Sequence, residues 1–293
     1  MNNDMDLSII IISYNTKSLL EKCLTSIYTN FPDLKVNTEV IVVDNGSKDG
    51  SCVLVRSKFS QVRLIENITN RGFGQANNQG INAARGSTIL LLNSDIVVLD
   101  QAIANLYLFF KIQTQEIILG GKLLNTDRTP QPSCGPQYSL LMIIMALFFK
   151  GDYCGITRYS PLKTREVDWI MGACMMARKS TFQKIAFDES IFMYMEEIDL
   201  QYRAKKRGVK IYFYPRAQFL HQGAGSSHGR ATPILNVFRG FLFYYKKHFG
   251  TGKQLFLRII LVFKSLSAIL LFSFQGKKYD REIYIKALKI AVS

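Results

Sequence analysis

The sequence predicts an α/β fold: one mostly parallel sheet flanked by helices, extended at the C-terminus by a basic helical segment. Three features carry that expectation. Apolar runs alternate with helix-spaced apolar residues through the first half of the chain, the pattern of strand–helix–strand units. The runs are continuous, as strands covered on both faces require. Polar residues follow the runs directly, where open α/β sheets bind ligands.

The first run is Ser8–Ser13, followed by Leu19, Leu20, Cys23, Leu24 and Ile27 on one helix face. Glu39–Asp44 and Val62–Ile65 read as the second and third strands, Gln75–Arg85 as a helix closed by Gly86, and Thr88–Leu92 as the fourth strand. Ile103, Leu106, Tyr107 and Phe110 mark the next helix. Asn125–Ser139 holds Pro130, Pro132, Gly135 and Pro136 and reads as a long loop or subdomain junction. Ile170–Ala177 reads as a strand, Tyr194–Lys206 as a helix stopped by Gly208, and Lys210–Tyr214 as a strand ending at Pro215. Beyond Pro233 the chain turns helical, aromatic and basic.

Of the 293 residues 48% are hydrophobic, which excludes a disordered chain. Seven prolines without a Gly-X-Y repeat exclude collagen. Only one stretch approaches spanning length, which argues against a multi-span membrane protein. The net charge is +15, and it is uneven: Leu235–Ser293 carries 11 Lys or Arg against 2 acids. Such an excess points to an anionic partner, lipid or nucleic acid. The five cysteines are odd in number, widely spaced and without C-x-x-C, so neither a disulfide framework nor a zinc site is indicated. The N-terminus, Met-Asn-Asn-Asp-Met-Asp, is acidic where a signal peptide would be basic. The expectation is a reduced, cytosolic compartment.

The turn after the first strand, Tyr14-Asn15-Thr16, has no glycine, and Gly72-Phe-Gly74 meets Asn77 where G-x-G-x-x-G needs its third glycine. A dinucleotide site is disfavoured, and the P-loop pattern is absent. Asp44, with Asn45-Gly46-Ser47 behind it, forms either an Asx-type turn or a carboxylate for a nucleobase or ribose. In Asn93-Ser94-Asp95 an acid at the end of a buried strand is placed to hold a hard divalent cation against a phosphate, with a helix cap near Asp100 as the competing local role. Glu196, Glu197 and Asp199 crowd a helix start, where the dipole welcomes them, and Asp199 and Arg203 are spaced for an i,i+4 ion pair. A general base among these acids must face the cleft, and burial must raise its pKa against the dipole. His221 precedes Gln-Gly-Ala-Gly-Ser, flexible enough to approach a metal or phosphate.

In order, SIIIISYN, VIVVDNGSKDGS, NRGFGQANNQGI, LLLNSDI, DWIMGACMMAR, FMYMEEIDLQYRAKKRG and HQGAGSS resemble the inverting glycosyltransferases of family 2, which have the GT-A fold with its Rossmann-like sheet. The resemblance covers roughly residues 7–250 and is nearest to the rhamnosyltransferase-like branch that assembles bacterial surface polysaccharides. It implies a glycosyltransferase domain over 1–250, its nucleotide-sugar half about 1–125 and its acceptor half about 126–250, ahead of a tail at 251–293. It implies a nucleotide-sugar site at Tyr14, Asn15, Asp44, Asn45, Gly72, Asn77, Asn93, Ser94 and Asp95. It implies a divalent metal, Mn²⁺ or Mg²⁺, on Asp95 and His221, and a donor-sugar or acceptor pocket at Trp169, Gly172, Ala173 and Asp199. The base would be Glu197, with Glu196 as the fallback. Two departures stand out: Asn93 replaces an acid of the D-x-D motif, and Glu197 replaces the usual Asp. The expected reaction moves a sugar such as rhamnose to a hydroxyl of a glycan or lipid-linked glycan, in one displacement with inversion.

Two other readings compete. A sugar nucleotidyltransferase would want a glycine-rich basic loop after the first strand, which is not there. A nucleic-acid binder would explain the charge, but no zinc-finger or RNP-like pattern accompanies it. The basic excess instead accompanies Leu255–Phe274, where 15 of 20 residues are apolar. Arg258 and Lys264 interrupt it, and Lys277, Lys278, Arg281, Lys286 and Lys289 follow. The favoured expectation is a peripheral anchor on the anionic inner face of the cell membrane, helped by the apolar run Leu140–Phe149; the alternative is a helical pair packed on the catalytic domain.

Overall fold

A computed structural model describes residues 5–31, 35–223 and 231–293. The first half holds β1 (Leu7–Ser13), α1 (Lys17–Asn30), β2 (Thr38–Asp44), α2 (Ser51–Lys58), β3 (Arg63–Glu66), α3 (Phe73–Ala83), β4 (Thr88–Asn93), β5 (Ile96–Val98), α4 (Ala102–Lys111) and β6 (Ile117–Leu124). The second holds β7 (Cys134–Gly135), α5 (Leu140–Phe148), β8 (Arg165–Glu166), β9 (Trp169–Ile170), β10 (Cys174–Arg178), α6 (Lys179–Ile185), α7 (Glu196–Lys206) and β11 (Lys210–His221). Three helices follow: α8 (Ala231–His248), α9 (Thr251–Phe274) and α10 (Lys278–Val292).

The main sheet runs β3-β2-β1-β4-β10-β6-β11-β5, with β8 on β11. β1–β4, β6 and β11 share one direction; β10, β5 and β8 oppose it. The expected mostly parallel sheet is therefore present. One apolar cluster fills each face, Leu20, Leu24, Ile27 and Leu106 on one side and Ile81, Phe182, Leu200 and Phe213 on the other. Each fully buried Leu or Phe contributes about 1.5–3 kcal/mol, which is why the centres of these strands, Ile9–Ile12, Val40–Val43 and Ile89–Leu92, are apolar; the buried Ser8 and Glu39 near the strand starts pair with each other at 2.6 Å.

Three expected boundaries change. Ile170–Ala177 is not one strand: β9 pairs with β7 in a separate ribbon, while β10 enters the main sheet. Between them Met171 N–H donates to Ser133 O at 2.8 Å, and Ala173 O accepts from Asn93 N–H at 3.1 Å, so the chain turns to satisfy two neighbours. The last strand does not stop at Pro215 but continues to His221. The register against β6 shifts between Tyr214 and Gln218, so the proline falls in a bulge where no ladder N–H is needed. The α3 helix lies two residues earlier than expected, and Gly86 sits where a Cβ would come within 2.6 Å of Ser8 N.

The C-terminal helices share a third core with the catalytic half: Tyr138, Ile143, Trp169 and Ile198 pack with Phe238, Phe241, Tyr244, Leu257, Leu261 and Ala287. Residue 250 is therefore no gap in packing. The two cations inside the apolar stretch of α9 turn to backbone carbonyls, Arg258 Nη1 donating to Ala291 O at 2.8 Å and Lys264 Nζ to Leu147 O at 2.7 Å. The opposite face stays exposed and apolar, with Phe256, Ile259, Phe263, Leu270 and Phe274.

Candidate active site

The adjacent strands β2, β1 and β4 end together, which sets Asp44–Asn45, Tyr14–Thr16 and Asn93–Asp95 side by side. Thr16 Oγ1 donates to Ser94 Oγ at 2.9 Å, tying the first turn to the third. The exposed Asn15 takes φ +53 and its Oδ1 accepts from Lys48 N–H at 2.8 Å, tying the first turn to the second. Tyr14 is half-buried beside it.

Asp44 forms the Asx turn and leaves its second oxygen over. Its Oδ1 accepts from the N–H groups of Gly46 (3.1 Å) and Ser47 (2.7 Å). Its Oδ2 is buried with no hydrogen-bond partner among the described residues, as is Asn93 Oδ1. A buried acceptor without a partner costs about 1–3 kcal/mol, so these two atoms are poised for a donor group of a ligand.

Asn45 and Asn77 brace the site instead of lining it. Asn45 Nδ2 donates to Gly72 O at 3.1 Å, and its Oδ1 accepts from Asn67 Nδ2 at 3.0 Å. Asn77 is buried in α3 with its amide turned back to Phe73 O at 2.9 Å. Gly72 takes φ +87, and a Cβ there would stand 2.5 Å from Phe192 O; only glycine fits this crossing.

The pairing of β5 with β11 sets His221 beside Ile96 and so beside Asp95. His221 Nε2 lies 3.4 Å from Asp95 Oδ1, both side chains nearly buried. His221 Nδ1 is 2.7 Å from Gln131 Oε1. Asp95 and His221 are the residues that could hold a divalent cation. Among the described residues no group of three or more His, Cys, Asp or Glu is arranged for a metal. The stretch 224–227 after His221 lies outside the described residues.

The acid pair sits at the start of α7. Gln201 fixes that helix to β9 with two bonds to Ile170, Oε1 accepting from N–H at 2.8 Å and Nε2 donating to O at 2.7 Å. Gly172 leaves room for Glu197, whose Cβ would lie 3.4 Å from a Cβ at 172. Tyr194 and Met195 enter the helix at φ +70 and +73, a left-handed pair that costs about 1–3 kcal/mol per residue and holds the two acids in place. Glu196 Oε2 and Glu197 Oε2 are buried without hydrogen-bond partners among the described residues. Burial pushes Glu196 well above the ordinary carboxylate range, reinforced by the Glu197 charge. Burial also raises Glu197, opposed by backbone N–H groups and the Arg158 charge. Arg158 lies over the Trp169 ring at 5.3 Å from its centroid, and Trp169 stacks on Tyr138 and donates from Nε1 to Pro136 O at 2.8 Å. Trp169 and Ala173 are thus buried walls beneath the pocket.

Asp199 does not join this group. Fully buried, it takes hydrogen bonds from Arg203 Nε (2.8 Å), His248 Nε2 (2.6 Å) and Lys247 Nζ (3.0 Å), and so ties α7 to α8. The spacing to Arg203 announced one of these partners; the other two arrive from a helix 48 residues further on. Gln131, Tyr138 and Arg158 are site residues that sequence reasoning missed. They come from the turn-rich second half, where no periodicity points at a cleft.

The strand ends thus gather Asp44, Asn93 and the Asp95–His221 pair, and the buried acids Glu196 and Glu197 stand beside Gly172, next to the Ala173 that bonds Asn93, an arrangement suited to a group-transfer enzyme. Comparison with known proteins agrees. The family described as glycosyl transferase family 2 matches residues 8–185. The chain is 29% identical over 215 residues to the low-salt glycan biosynthesis hexosyltransferase Agl10 of Haloferax volcanii, covering 70% of this chain and 64% of that protein. It is 27% identical over 245 residues to the N-acetylglucosaminyl-diphospho-decaprenol L-rhamnosyltransferase of Mycobacterium tuberculosis, covering 75% and 77%. It is 34% identical over 120 residues to the poly(ribitol-phosphate) beta-glucosyltransferase of Bacillus spizizenii, covering 40% and 19%. This chain belongs to glycosyl transferase family 2, and its fold is the GT-A fold.

Proposed function

We propose that the protein transfers a sugar from a nucleotide-sugar to a hydroxyl of a glycan or lipid-linked glycan, with inversion at the anomeric carbon. The observation that carries this reading is the buried acid pair Glu196–Glu197, each with an Oε2 that has no hydrogen-bond partner among the described residues, set against Gly172, next to the Ala173 that bonds Asn93 at the strand end. Glu197 accepts the proton of the acceptor hydroxyl as that oxygen attacks, and Glu196 is the second acid raised by burial beside it. Asp44 Oδ2 takes a hydrogen bond from the base or ribose of the donor. Asp95 and His221 would hold Mn²⁺ or Mg²⁺, which supplies charge neutralisation on the departing diphosphate. Two protein ligands with phosphate oxygens completing the shell suit such an ion. The mycobacterial relative's name supports rhamnose as the sugar and a diphospho-polyprenol as the acceptor anchor.

The same reading seats the protein on the anionic cytoplasmic face of a membrane. The exposed apolar side of α9 and the lysines of the C-terminal segment support it, since apolar burial and basic residues add on such a surface. Five free cysteines fit a reduced compartment. Incubating the full chain with a panel of nucleotide-sugars, a lipid-linked glycan and Mn²⁺ or Mg²⁺ should release nucleoside diphosphate and elongate the glycan. Activity that survives complete chelation would remove the metal from the scheme, and failure of every donor in the panel would defeat the transfer reading.

A further inference from the structure

The hydrogen bonds behind His221 have a direction that chemistry fixes at every step. Asp127 can only accept in its ionised form, and Thr129 Oγ1 donates to its Oδ1 at 2.6 Å. Having spent its one proton, the Thr129 hydroxyl accepts from Asn125 Nδ2 at 2.9 Å. That turns Asn125 Oδ1 towards Gln131, where it accepts from Nε2 at 3.2 Å. Gln131 Oε1 then faces His221 Nδ1 at 2.7 Å, and an amide oxygen can only accept. Nδ1 therefore carries the proton, and Nε2 turns its lone pair towards Asp95, 3.4 Å away.

The backbone is built around this line. Asn125 N–H donates to Thr129 O and Arg128 N–H to Asn125 O, both at 2.9 Å, closing a tight turn in which Arg128 takes φ +64. Gln131 N–H donates to Leu123 O at 2.9 Å, pinning Gln131 to the end of β6, the strand that neighbours β11 and its terminal His221.

We propose that the relay Asp127–Thr129–Asn125–Gln131 orients His221 for cation binding, with Gln131 as the positioning residue that holds the imidazole in its Nδ1–H tautomer and leaves Nε2 open beside Asp95. Metal-binding imidazoles commonly donate their second nitrogen to an outer acceptor, and losing that acceptor costs about 10–100-fold in metal affinity. The purpose assigned to the relay rests on the metal reading of Asp95 and His221; its content rests on hydrogen-bond direction alone.

Nitrogen-15 NMR of the full chain labelled at histidine tests it, without metal and at a pH where the imidazole is neutral, with the His221 signals identified by their loss in His221→Asn. The wild type should show Nδ1 protonated and Nε2 bare. Gln131→Leu, which removes the acceptor, should move the proton to Nε2, whereas Gln131→Glu, which keeps one, should hold it on Nδ1; circular dichroism checks that both fold. Mn²⁺ added alone and followed by electron paramagnetic resonance should bind Gln131→Leu about 10–100-fold more weakly than wild type. Protonated Nε2 in the wild type, or an unchanged tautomer in Gln131→Leu, overturns the relay. A wild type that takes up no Mn²⁺ while its tautomer follows residue 131 overturns the metal reading instead.

Discussion

Replacing Asp199 by asparagine separates a structural acid from a pocket acid. The carboxylate is fully buried and meets Arg203, Lys247 and His248 at 2.6–3.0 Å. Burial holds the His248 pKa below its usual value, against the pull of Asp199, so near neutral pH this imidazole is an uncharged donor and the charge balance rests on Arg203 and Lys247. Asparagine keeps the volume, removes the charge and leaves both cations facing an amide. Breaking a buried ion pair costs about 3–5 kcal/mol. The Arg203 and Lys247 side chains keep 20% and 28% of their exposure, and Lys247 retains Asp188 at 2.5 Å, so partial rehydration places the loss at the lower end, about 3 kcal/mol. Urea unfolding followed by the fluorescence of Trp169, the chain's one tryptophan, reads this directly, because that ring sits in the core that α8 completes. The midpoint should fall with the slope preserved. A midpoint unchanged from wild type, with sugar transfer lost, would return Asp199 to the pocket and refute the assignment to the α7–α8 joint.

Glu197→Gln keeps the size and removes the proton affinity, and should lower kcat by about 10²–10⁴-fold with donor binding retained in a thermal-shift titration; if Glu196→Gln is the crippled variant, the base is the neighbouring acid. Burial raises both acids, and a base works only when ionised. Activity should therefore fall as the pH drops through a value above the ordinary carboxylate range of about 4, and an acid limb at that ordinary value in kcat/KM contradicts the buried pair. Gly72→Ala should cost about 1–3 kcal/mol in urea melts, because the new Cβ meets Phe192 O at φ +87; a neutral result means the crossing yields. Replacing Phe256, Leu270 and Phe274 together by serine removes apolar groups from the exposed face of α9 and should release the chain from anionic vesicles in flotation without moving its melting temperature; unchanged flotation excludes that face as the contact.

The parts of this molecule that were legible in its sequence are those in which one short segment decides its own environment. The centres of β1, β2 and β4, Ile9–Ile12, Val40–Val43 and Ile89–Leu92, are apolar because both faces are covered, and the polar turn after each is placed by the parallel order alone. Asp44, Asn93 and Asp95 are reached that way, and so are Glu196 and Glu197, which begin a helix. The losses share a different cause. Asp199 stands among acids in the sequence, yet the Lys247 and His248 that claim it belong to α8. Gln131 lies in a proline-rich turn without periodicity, and its meaning depends on a strand that passes through Pro215 to bring His221 opposite. A proline at the expected end of a strand is an ordinary stop signal; here a bulge absorbs it and the strand gains the residues that reach the site.

The same reasoning accounts for α9, whose sequence supports opposite expectations. Its length and apolar content suit a bilayer, while Arg258 and Lys264 argue against burial. Both objections dissolve once the partners are known. The two cations lie on the side that packs on α10 and α5, where the carbonyls of Ala291 and Leu147 receive them, and Lys264 is held partly desolvated with its pKa lowered by burial. What remains for the outer side is apolar, so the helix is amphipathic with respect to the protein and not to water. Its inward face completes the core around Trp169 and Tyr138, the stacked rings over which Arg158 lies. Under the proposed function, a membrane engaged through α9 would therefore touch the same continuous core that holds Ile198 beside Glu197, and the distance from that surface to the base would be set by packing and not by a flexible tether.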